Sequence, residues 1–468
     1  MKSIIKSSVL SLVSMISFMF SGCEQLVEGI NENPNQLTLE EVDAGLFMNG
    51  AQLSNINIQL GPYSRMAAYY SGQLIGYEQV ERFRYQYEVV NTDFDWSGYQ
   101  SVVNPAREIR RRTEGNALYQ GITKVLEAHV VGTYASLFGD IPYSEAISDV
   151  DDPVFDNQLV VFEKLQTLLD GAISDLENSS GQVIAQDFIF AGNRVKWLES
   201  AWTLKARYYM STKQYEQAYQ AALNGISLPR NSMRFTPLDL QGENSTKNKY
   251  FIVLQNGPNL GTGDSYLMQL LDAENPVSRN NEKTNESARS AYYYIDRLNS
   301  TSNMGIAHEL ESQPLLTYEE NLLILAESGA RTQGLVVGLE HLNSLRAYLN
   351  SGAFLNINFA GLSHVYLPYL ASDFEVGGME NMDGIDPIRA LLREIVEERY
   401  VSGFTMFMPF DDARRLRKGD SDIAVPFPLN IPTATLNIER FLVPEDEMTT
   451  NENAPVDPGL FSPTQVNQ

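Results

Sequence analysis

Seven aromatic residues lie within 25 positions near the N-terminal end of the chain. They are Tyr63, Tyr69, Tyr70, Tyr77, Phe83, Tyr85 and Tyr87, and arginine, glutamine and glutamate side chains stand between them. Aromatic faces with polar neighbours can stack on sugar rings or on peptides, because the ring buries C–H surface while nearby polar groups bind hydroxyls or amides. Most of these rings must still belong to the core. We therefore expect two or three of them to reach a ligand.

We extend this interpretation to a set of candidate ligand contacts. The predicted stacking residues are Tyr69, Tyr77, Phe83, Trp96, Tyr266 and Tyr292, and the predicted polar partners are Arg82 and Asp93. For each of them the alternative is a place in the hydrophobic core.

The stretch "TDFDWSGYQ" has the residue types of half a calcium loop. Asp93, Asp95, Ser97 and Gly98 stand where such a loop places its first ligands and its glycine, but the twelfth position holds Asn104 instead of a bidentate glutamate. The favoured interpretation is that Asp93 or Asp95 caps a helix that begins near Trp96, and that the Trp96 side chain packs inward.

Motifs of catalysis are absent from the sequence. The four histidines do not pair at metal-ligand spacing, and there is no HExxH, GxSxG, GxxxxGK[ST] or strand-linked GxGxxG pattern. We therefore predict no catalytic residue, no metal and no cofactor. Glycoside hydrolysis needs only two carboxylates across a cleft, and with 59 acidic residues no particular pair stands out. A glycoside hydrolase thus stays open as an alternative.

The single cysteine, Cys23, stands where an apolar run ends. Residues 1–22 carry two lysines, no acidic residue and an apolar stretch that is too short to span a bilayer, which is typical of a signal peptide. The run closes with Phe20-Ser21-Gly22-Cys23, which resembles the bacterial lipobox. We predict that residues 1–22 are removed and that Cys23 is acylated, with residues 24–30 as a tether and "NENPN" as its entry into the folded body.

The formal net charge of −25 argues against nucleic acid as a partner, because phosphate backbones would be repelled. The two basic runs, "REIRRR" and "ARRLRK", lie in helical, partly apolar surroundings. They are typical of a solvated helix face or of the basic C-terminal end of a helix.

Helical periodicity dominates the elements that must position these residues. Apolar residues recur at helical spacing over 122–138, 162–176 and 197–210, and Gly139 followed by Pro142 marks the end of the first helix. The segment "WTLKARYYMSTKQYEQAYQAALNGISLP" is close to the spacing of a tetratricopeptide repeat, and "YEENLLILAESGARTQGLVVGLEHLNSLRAYL" is similar to it. Small residues in such units let two antiparallel helices approach each other.

The spacing between these helix pairs is irregular, so we predict pairs packed around one core with loop-rich insertions between them. Within the insertion at 234–266 only "YFIVLQ" looks like a strand. The fold class is therefore mainly α, with few short strands. No linker divides the chain, and we expect one domain over residues 23–468.

Four motifs together resemble the SusD/RagB family of surface nutrient-binding lipoproteins of Bacteroidetes. They are Cys23 followed by Asn31-Glu32-Asn33-Pro34-Asn35, the turn in "YASLFGDIPYSEA", the segment "IRALLREIVEERYVSGFTMFMPFDDARRL" with Glu397, Glu398, Arg399, Asp412 and Arg415, and the closing "RFLVPEDEMTTNENAP". The likeness spans nearly the whole chain.

The resemblance implies a tetratricopeptide-like α/α superhelical scaffold that supports a loop-rich lobe. It further implies an outer-membrane lipoprotein that faces the cell exterior, lies as a lid over a SusC-like TonB-dependent transporter and holds an oligosaccharide, or sometimes a peptide, without catalysis. Its motifs are structural, so they assign no ligand contact. A surface-anchored glycoside hydrolase, a peptide-binding import lipoprotein and a scaffold that binds partner helices in its groove are the alternatives.

Overall fold

The computed structural model describes residues 43–148 and 150–468. Cys23, the signal peptide and "NENPN" lie outside the described residues. The α-helices are α1 Ala44–Leu60, α2 Pro62–Tyr70, α3 Gln79–Tyr85, α4 Ser97–Arg112, α5 Ala117–Phe138, α6 Gln158–Asn178, α7 Arg194–Ser211, α8 Tyr215–Ala222, α9 Lys249–Gln255, α10 Tyr266–Leu271, α11 Ser287–Tyr293, α12 Tyr318–Thr332, α13 Leu335–Asn350, α14 Pro387–Ser402, α15 Met408–Leu416 and α16 Glu445–Thr450. The predicted mainly helical fold class is confirmed.

The three helices predicted from periodicity are α5, α6 and α7. Asparagine side chains cap the start of each: Asn157 accepts the N–H of Leu159 at 3.1 Å at the start of α6, and Asn193 accepts that of Val195 at 3.1 Å at the start of α7. Helix α5 ends at Gly139, whose φ of 86° lies in the region that favours glycine. The predicted stop is therefore confirmed.

The two predicted helix pairs are α7 with α8 and α12 with α13, and in each pair the two helices pack on each other. Gly338 on α13 lies so close to α12 that an added Cβ would come within 2.5 Å of the Ala330 Cβ. The small residues therefore allow the close approach that the sequence pattern predicted.

Strands are few and short in the part of the chain that the structure describes. They form four antiparallel two-stranded ladders: β1 (Ile75–Gly76) with β5 (Leu260–Gly261), β2 (Ile141–Pro142) with β3 (Phe155–Asp156), β4 (Met233–Phe235) with β7 (Gln313–Leu316), and β6 (Thr284–Asn285) with β8 (Val365–Tyr366).

The strand predicted at "YFIVLQ" is wrong, because these residues form most of helix α9. The side chain of Asn248 accepts the main-chain N–H groups of Tyr250 and Phe251 and so starts the helix. Tyr250 and Leu254, four residues apart, are the buried positions, which is helical and not strand spacing.

The described core consists of two hydrophobic clusters. The larger one takes side chains from α1, α2 and α4 to α7, and the smaller one takes side chains from α8 and α12 to α14. Helix α14 contributes to both, since Leu391 packs in the smaller cluster and Tyr400 in the larger.

Two buried ion networks lie on helix α14. In the first, Glu327 on α12 binds Arg399 at 3.3 Å and Arg415 at 2.7 Å, and Asp412 binds the same two arginines. In the second, Glu398 binds Arg279 and Arg289, each at 2.7 Å. Buried charges are tolerated only when they are paired, so these contacts fix α12, α14 and α15 relative to one another. The motif residues of the C-terminal half thus have structural roles.

Candidate functional site

Four of the predicted stacking residues lie in the core. Tyr69 is fully buried, and its hydroxyl donates to the Glu81 carboxylate at 2.8 Å. That carboxylate also accepts from Arg65 at 3.1 Å, and the two arginines Arg65 and Arg84 help to keep the pKa of Glu81 below its usual value against the effect of burial. Because its ring has no exposed face, Tyr69 holds this buried network together instead of meeting a ligand.

Trp96, Tyr266 and Tyr292 are buried as well. The Trp96 ring packs against Tyr134 and Phe138, which confirms the alternative that its side chain turns inward. Tyr292 donates to a glutamate carboxylate at 3.0 Å, and burial raises the pKa of Tyr266 to about 12. Stacking predictions for these rings fail for one physical reason: in this sequence aromatic side chains supply the core packing between helices and loops.

Tyr77 is the predicted aromatic residue around which exposed polar and aromatic groups gather. It follows strand β1, and the guanidinium of Arg297 lies over its ring, 4.2 Å from the centroid. Gly263 lies against the Tyr77 hydroxyl, which would be 2.3 Å from a Cβ at that position. A side chain there would displace the tyrosine, so the glycine and the arginine together fix the ring orientation.

Tyr294 is the second ring of this surface. It follows helix α11, is 49% exposed and lies near enough to Tyr77 to contribute to the raised pKa of that residue. Partial burial raises the pKa of Tyr77, and the positive charge of Arg297 opposes this shift. Tyr77 therefore stays a neutral hydrogen-bonding group at physiological pH. We call Tyr77, Tyr294 and Arg297 the aromatic surface.

Carboxylates border the aromatic surface. Glu78 is exposed and lies 3.6 Å from the Arg297 guanidinium, and Asp264 is exposed in the loop after β5. Gln79 has a φ of 50°, an uncommon value for a residue other than glycine, and starts the short helix α3. Strain of this kind collects at functional sites, where the surrounding structure enforces it.

Helix α3 carries the predicted residues Arg82 and Phe83. Arg82 is exposed and donates at 3.3 Å to Gln86, the residue after the helix, while Phe83 is 50% exposed. Both are accessible to a ligand, so their predicted role stays a prediction. The structure thus leaves Tyr77, Arg82 and Phe83 on the surface within one short segment.

Asp93 lies apart from the aromatic surface, at a cleft of about 320 Å³ between α1 and the start of α4. Arg84, Tyr63 and Asp95 also line this cleft. The Asp93 carboxylate accepts the N–H of Val90 at 2.8 Å, and that of Asp95 accepts the N–H of Ser97, the first residue of α4, at 3.0 Å. Asp95 therefore binds the first main-chain N–H of α4 from the position before Trp96, which is the N-cap residue and makes no side-chain capping bond. Among the described residues, no group of three or more histidine, cysteine, aspartate or glutamate side chains is placed to hold a metal ion.

The sequence interpretation missed Tyr294 and Arg297. The signal was present in "SAYYYIDRLNS", where three consecutive tyrosines precede an arginine. Along a helix consecutive residues point in different directions, so a run of three cannot be buried on one face. The structure buries Tyr292 and Tyr293 and leaves Tyr294 exposed at the end of α11.

A comparison with protein-family models matches residues 34–236 to a SusD-like family described as "Starch-binding associating with outer membrane". A comparison with curated proteins finds no match. Within the described residues, no helix is both long and apolar enough to cross a membrane.

Solved structures share the fold of almost the whole chain. A SusD/RagB family protein from Bacteroides thetaiotaomicron is 18% identical, with a TM-score of 0.67, over 88% of this chain and 95% of that one. A chitin-binding SusD homolog from Flavobacterium johnsoniae is 15% identical, with a TM-score of 0.64, over 90% of this chain and 99% of that one. A SusD homolog from Bacteroides fragilis is 16% identical, with a TM-score of 0.65, over 91% and 100%. The resemblance to the SusD/RagB family that the sequence motifs indicated is confirmed.

Proposed function

We propose that this protein is a cell-surface lipoprotein that binds an oligosaccharide on its aromatic surface and delivers it to a TonB-dependent transporter of the SusC kind. The observation that carries the binding role is the pair of partly exposed tyrosines, Tyr77 and Tyr294, one of them held in place by Arg297. The description of the matched family as starch-binding and the chitin-binding relative support a glycan as the ligand.

The chemistry of the aromatic surface suits a sugar. A pyranose ring presents a C–H face that stacks on tyrosine, while its hydroxyls need acceptors and donors at the edge of the ring. Glu78 and Asp264 supply acceptors, and the Arg297 guanidinium and the tyrosine hydroxyls supply donors. An open surface of this kind suits binding without bond cleavage, in agreement with the binding role of the family.

Attachment and delivery complete the proposal. Acylation of Cys23 would hold residues 23–468 at the outer membrane, facing outward, through a lipid anchor. A soluble lid of this kind needs a transporter beneath it to move the captured glycan inward, which gives the SusC-like barrel its role as partner.

Titration of the full mature chain carrying Cys23→Ser with malto-oligosaccharides and chito-oligosaccharides tests the binding role. We expect one series to bind, and we expect Tyr77→Ala and Tyr294→Ala each to weaken binding at least about fivefold, because a stacked ring contributes roughly 1 kcal/mol beyond its buried area. The matched control is Phe188→Ala, which removes a 46% exposed ring from the loop between α6 and α7.

Three results would contradict the proposal. Unchanged affinity in the double variant of Tyr77 and Tyr294 would show that the glycan binds at another place on the protein. Failure to bind any neutral glycan, with or without the transporter, together with binding of peptides would favour the peptide-import alternative. Shortening of an oligosaccharide by the protein alone would identify a glycoside hydrolase.

A further inference from the structure

Arg440 is a buried arginine without an ion pair among the residues that the structure describes. It is 8% exposed and lies in the C-terminal motif "RFLVPEDE". Other buried arginines, such as Arg279, Arg289 and Arg415, each bind at least two carboxylates. In a chain with a formal charge of −25, an arginine left without a carboxylate requires an explanation.

The protein satisfies this guanidinium only in part. Nη2 of Arg440 donates to the carbonyl of Phe138, the last residue of α5, and thereby places a cation at the negative end of that helix. The adjacent Gly139 lets the arginine approach, because a Cβ there would lie 3.3 Å from Nη2. Nε is buried and has no hydrogen-bond partner among the described residues. Capping α5 therefore occupies one donor of the five.

The carboxylates nearest in electrostatic terms, Asp140 and Asp457, are committed to main-chain N–H groups. Asp140 accepts from Gln158 at 2.8 Å, and Asp457 accepts from Val443 at 3.1 Å and Gly459 at 2.8 Å. Burial lowers the pKa of Arg440, and these two carboxylates oppose the shift without forming an ion pair. The guanidinium therefore keeps a positive charge that no described side chain neutralises by contact.

Arg440 lines a cavity of about 430 Å³. The two ends of the α5–α6 connection and the C-terminal segment border it. This volume lies within the usual range of small-molecule sites, roughly 300–1,000 Å³. Hydroxyl and amide groups line much of the rest; they belong to Asn157, Ser462, Thr464, Gln465 and Gln468. Asp140 also lines the cavity, with one carboxylate oxygen bound to the N–H of Gln158, and Gly139 and three prolines complete the wall.

We propose that this cavity binds a small carboxylate anion, with the Arg440 guanidinium as its counter-ion. A guanidinium matches a carboxylate in shape, and its hydrogen bonds to an anion are stronger than those to neutral groups. The surrounding hydroxyls and amides can bind hydroxyl groups next to the carboxylate, which favours an acidic sugar over the C-terminus of a peptide. Neither source depends on the aromatic surface, so this site can fail while the proposed function stands.

Calorimetric titration of the mature chain with sodium glucuronate, N-acetylglycine and glucose at constant ionic strength tests the proposal. We expect saturable binding of one carboxylate per chain and no binding of glucose at this site. Arg440→Gln should weaken binding at least about tenfold, because a hydrogen bond to a charged group is worth more than one tenfold step in affinity. Arg440→Lys keeps the charge but loses the planar pair of N–H donors that matches a carboxylate, so this variant should bind with intermediate affinity. Arg230→Gln, at an exposed position, is the matched control.

A second variant keeps the test decisive if Arg440→Gln does not fold, which circular dichroism would show. Ser462 is only partly buried, and Ser462→Tyr fills the cavity without removing the arginine. Loss of carboxylate binding in this variant supports the site. In the unmodified chain, a higher affinity for glucuronate identifies an acidic sugar as the ligand, and a higher affinity for N-acetylglycine identifies the C-terminus of a peptide. Absence of binding by both anions, equal binding of glucose, or unchanged binding in Ser462→Tyr would overturn the proposal.

Discussion

Replacing Glu327 with glutamine tests whether the buried ion network on α14 holds the scaffold together. The carboxylate of Glu327 is fully buried and accepts from Arg415 at 2.7 and 2.8 Å and from Arg331 at 3.0 Å, with Arg399 at 3.3 Å. Despite burial, these arginines hold the pKa of Glu327 well below its usual range, so it is ionised wherever the protein is folded near neutral pH. Glutamine has nearly the same shape but removes the charge.

The expected loss of stability follows from what the substitution leaves behind. Glu327→Gln removes the negative charge and turns an amide NH₂ toward guanidinium groups that can only donate. Breaking a buried ion pair by removing one partner costs about 3–5 kcal/mol. Asp412 still binds Arg399 at 2.6 Å and Arg415 at 2.8 Å, so we expect the lower end, about 3 kcal/mol.

Urea unfolding followed by circular dichroism measures this loss as a shift of the midpoint at unchanged slope. The matched control is Glu340→Gln on α13, because Glu340 is exposed and surface substitutions stay within about 0.5 kcal/mol. A free energy of unfolding for Glu327→Gln that falls within about 1 kcal/mol of the unmodified protein would refute the reasoning that α12, α14 and α15 depend on this carboxylate.

Two further predictions concern the same scaffold. Burial raises the pKa of Glu397 to about 6, above its ordinary value of 4.5, although Arg279 opposes the shift. The folded protein therefore binds this proton more tightly, and the stabilisation present below the unfolded pKa is lost as the pH rises through about 6. Because one pKa unit corresponds to about 1.4 kcal/mol, the free energy of unfolding of Glu397→Gln should rise by roughly 2 kcal/mol relative to that of the unmodified protein between about pH 4 and pH 7, as measured by urea unfolding. A difference in the free energy of unfolding between the two proteins that stays constant over this pH range would contradict the prediction. Gly132→Ala should lower the free energy of unfolding by about 1–3 kcal/mol, because its Cβ would lie 2.2 Å from a buried tyrosine. Gly50→Ala, with nothing within 4 Å, should stabilise α1 by about 0.5–1 kcal/mol in the same assay. Equal effects of the two substitutions would refute the packing argument.

Helices were the part of the fold that the sequence predicted best. Over α5 to α7 the apolar residues recur every three to four positions, and caps such as Asn193 and stops such as Gly139 reinforce that period. At "YFIVLQ" the same reasoning failed, because four consecutive apolar residues fit a strand and a buried helix equally well. Only the tertiary partners of Tyr250 and Leu254 decide between the two.

The proposed ligand-binding surface was harder to predict than the helices. An aromatic residue in the sequence gives the same signal whether its ring fills a core, as that of Tyr69 does, or lies open to solvent, as that of Tyr294 does in part. The aromatic surface joins Tyr77 to residues more than 200 positions away, and a single sequence contains no information on which loops meet. Short-range patterns therefore found Tyr77 and offered a local signal for an exposed tyrosine near Arg297, but they could not show that Arg297 lies over the Tyr77 ring.

The residues of the C-terminal motif are buried, whereas residues of the aromatic surface lie in exposed loops, and this difference has a physical cause. Glu398, Arg399, Asp412 and Arg415 belong to the segment by which the chain resembles the SusD/RagB family. All four are buried in ion networks that join them to other parts of the chain. A buried ion network tolerates little change, because the loss of one member leaves the others uncompensated. Exposed loop residues such as Tyr294 carry no such penalty when they change. Proteins that share this scaffold can therefore differ in their loops, and under the proposed function the identity of the glycan must be sought in the loops of the aromatic surface.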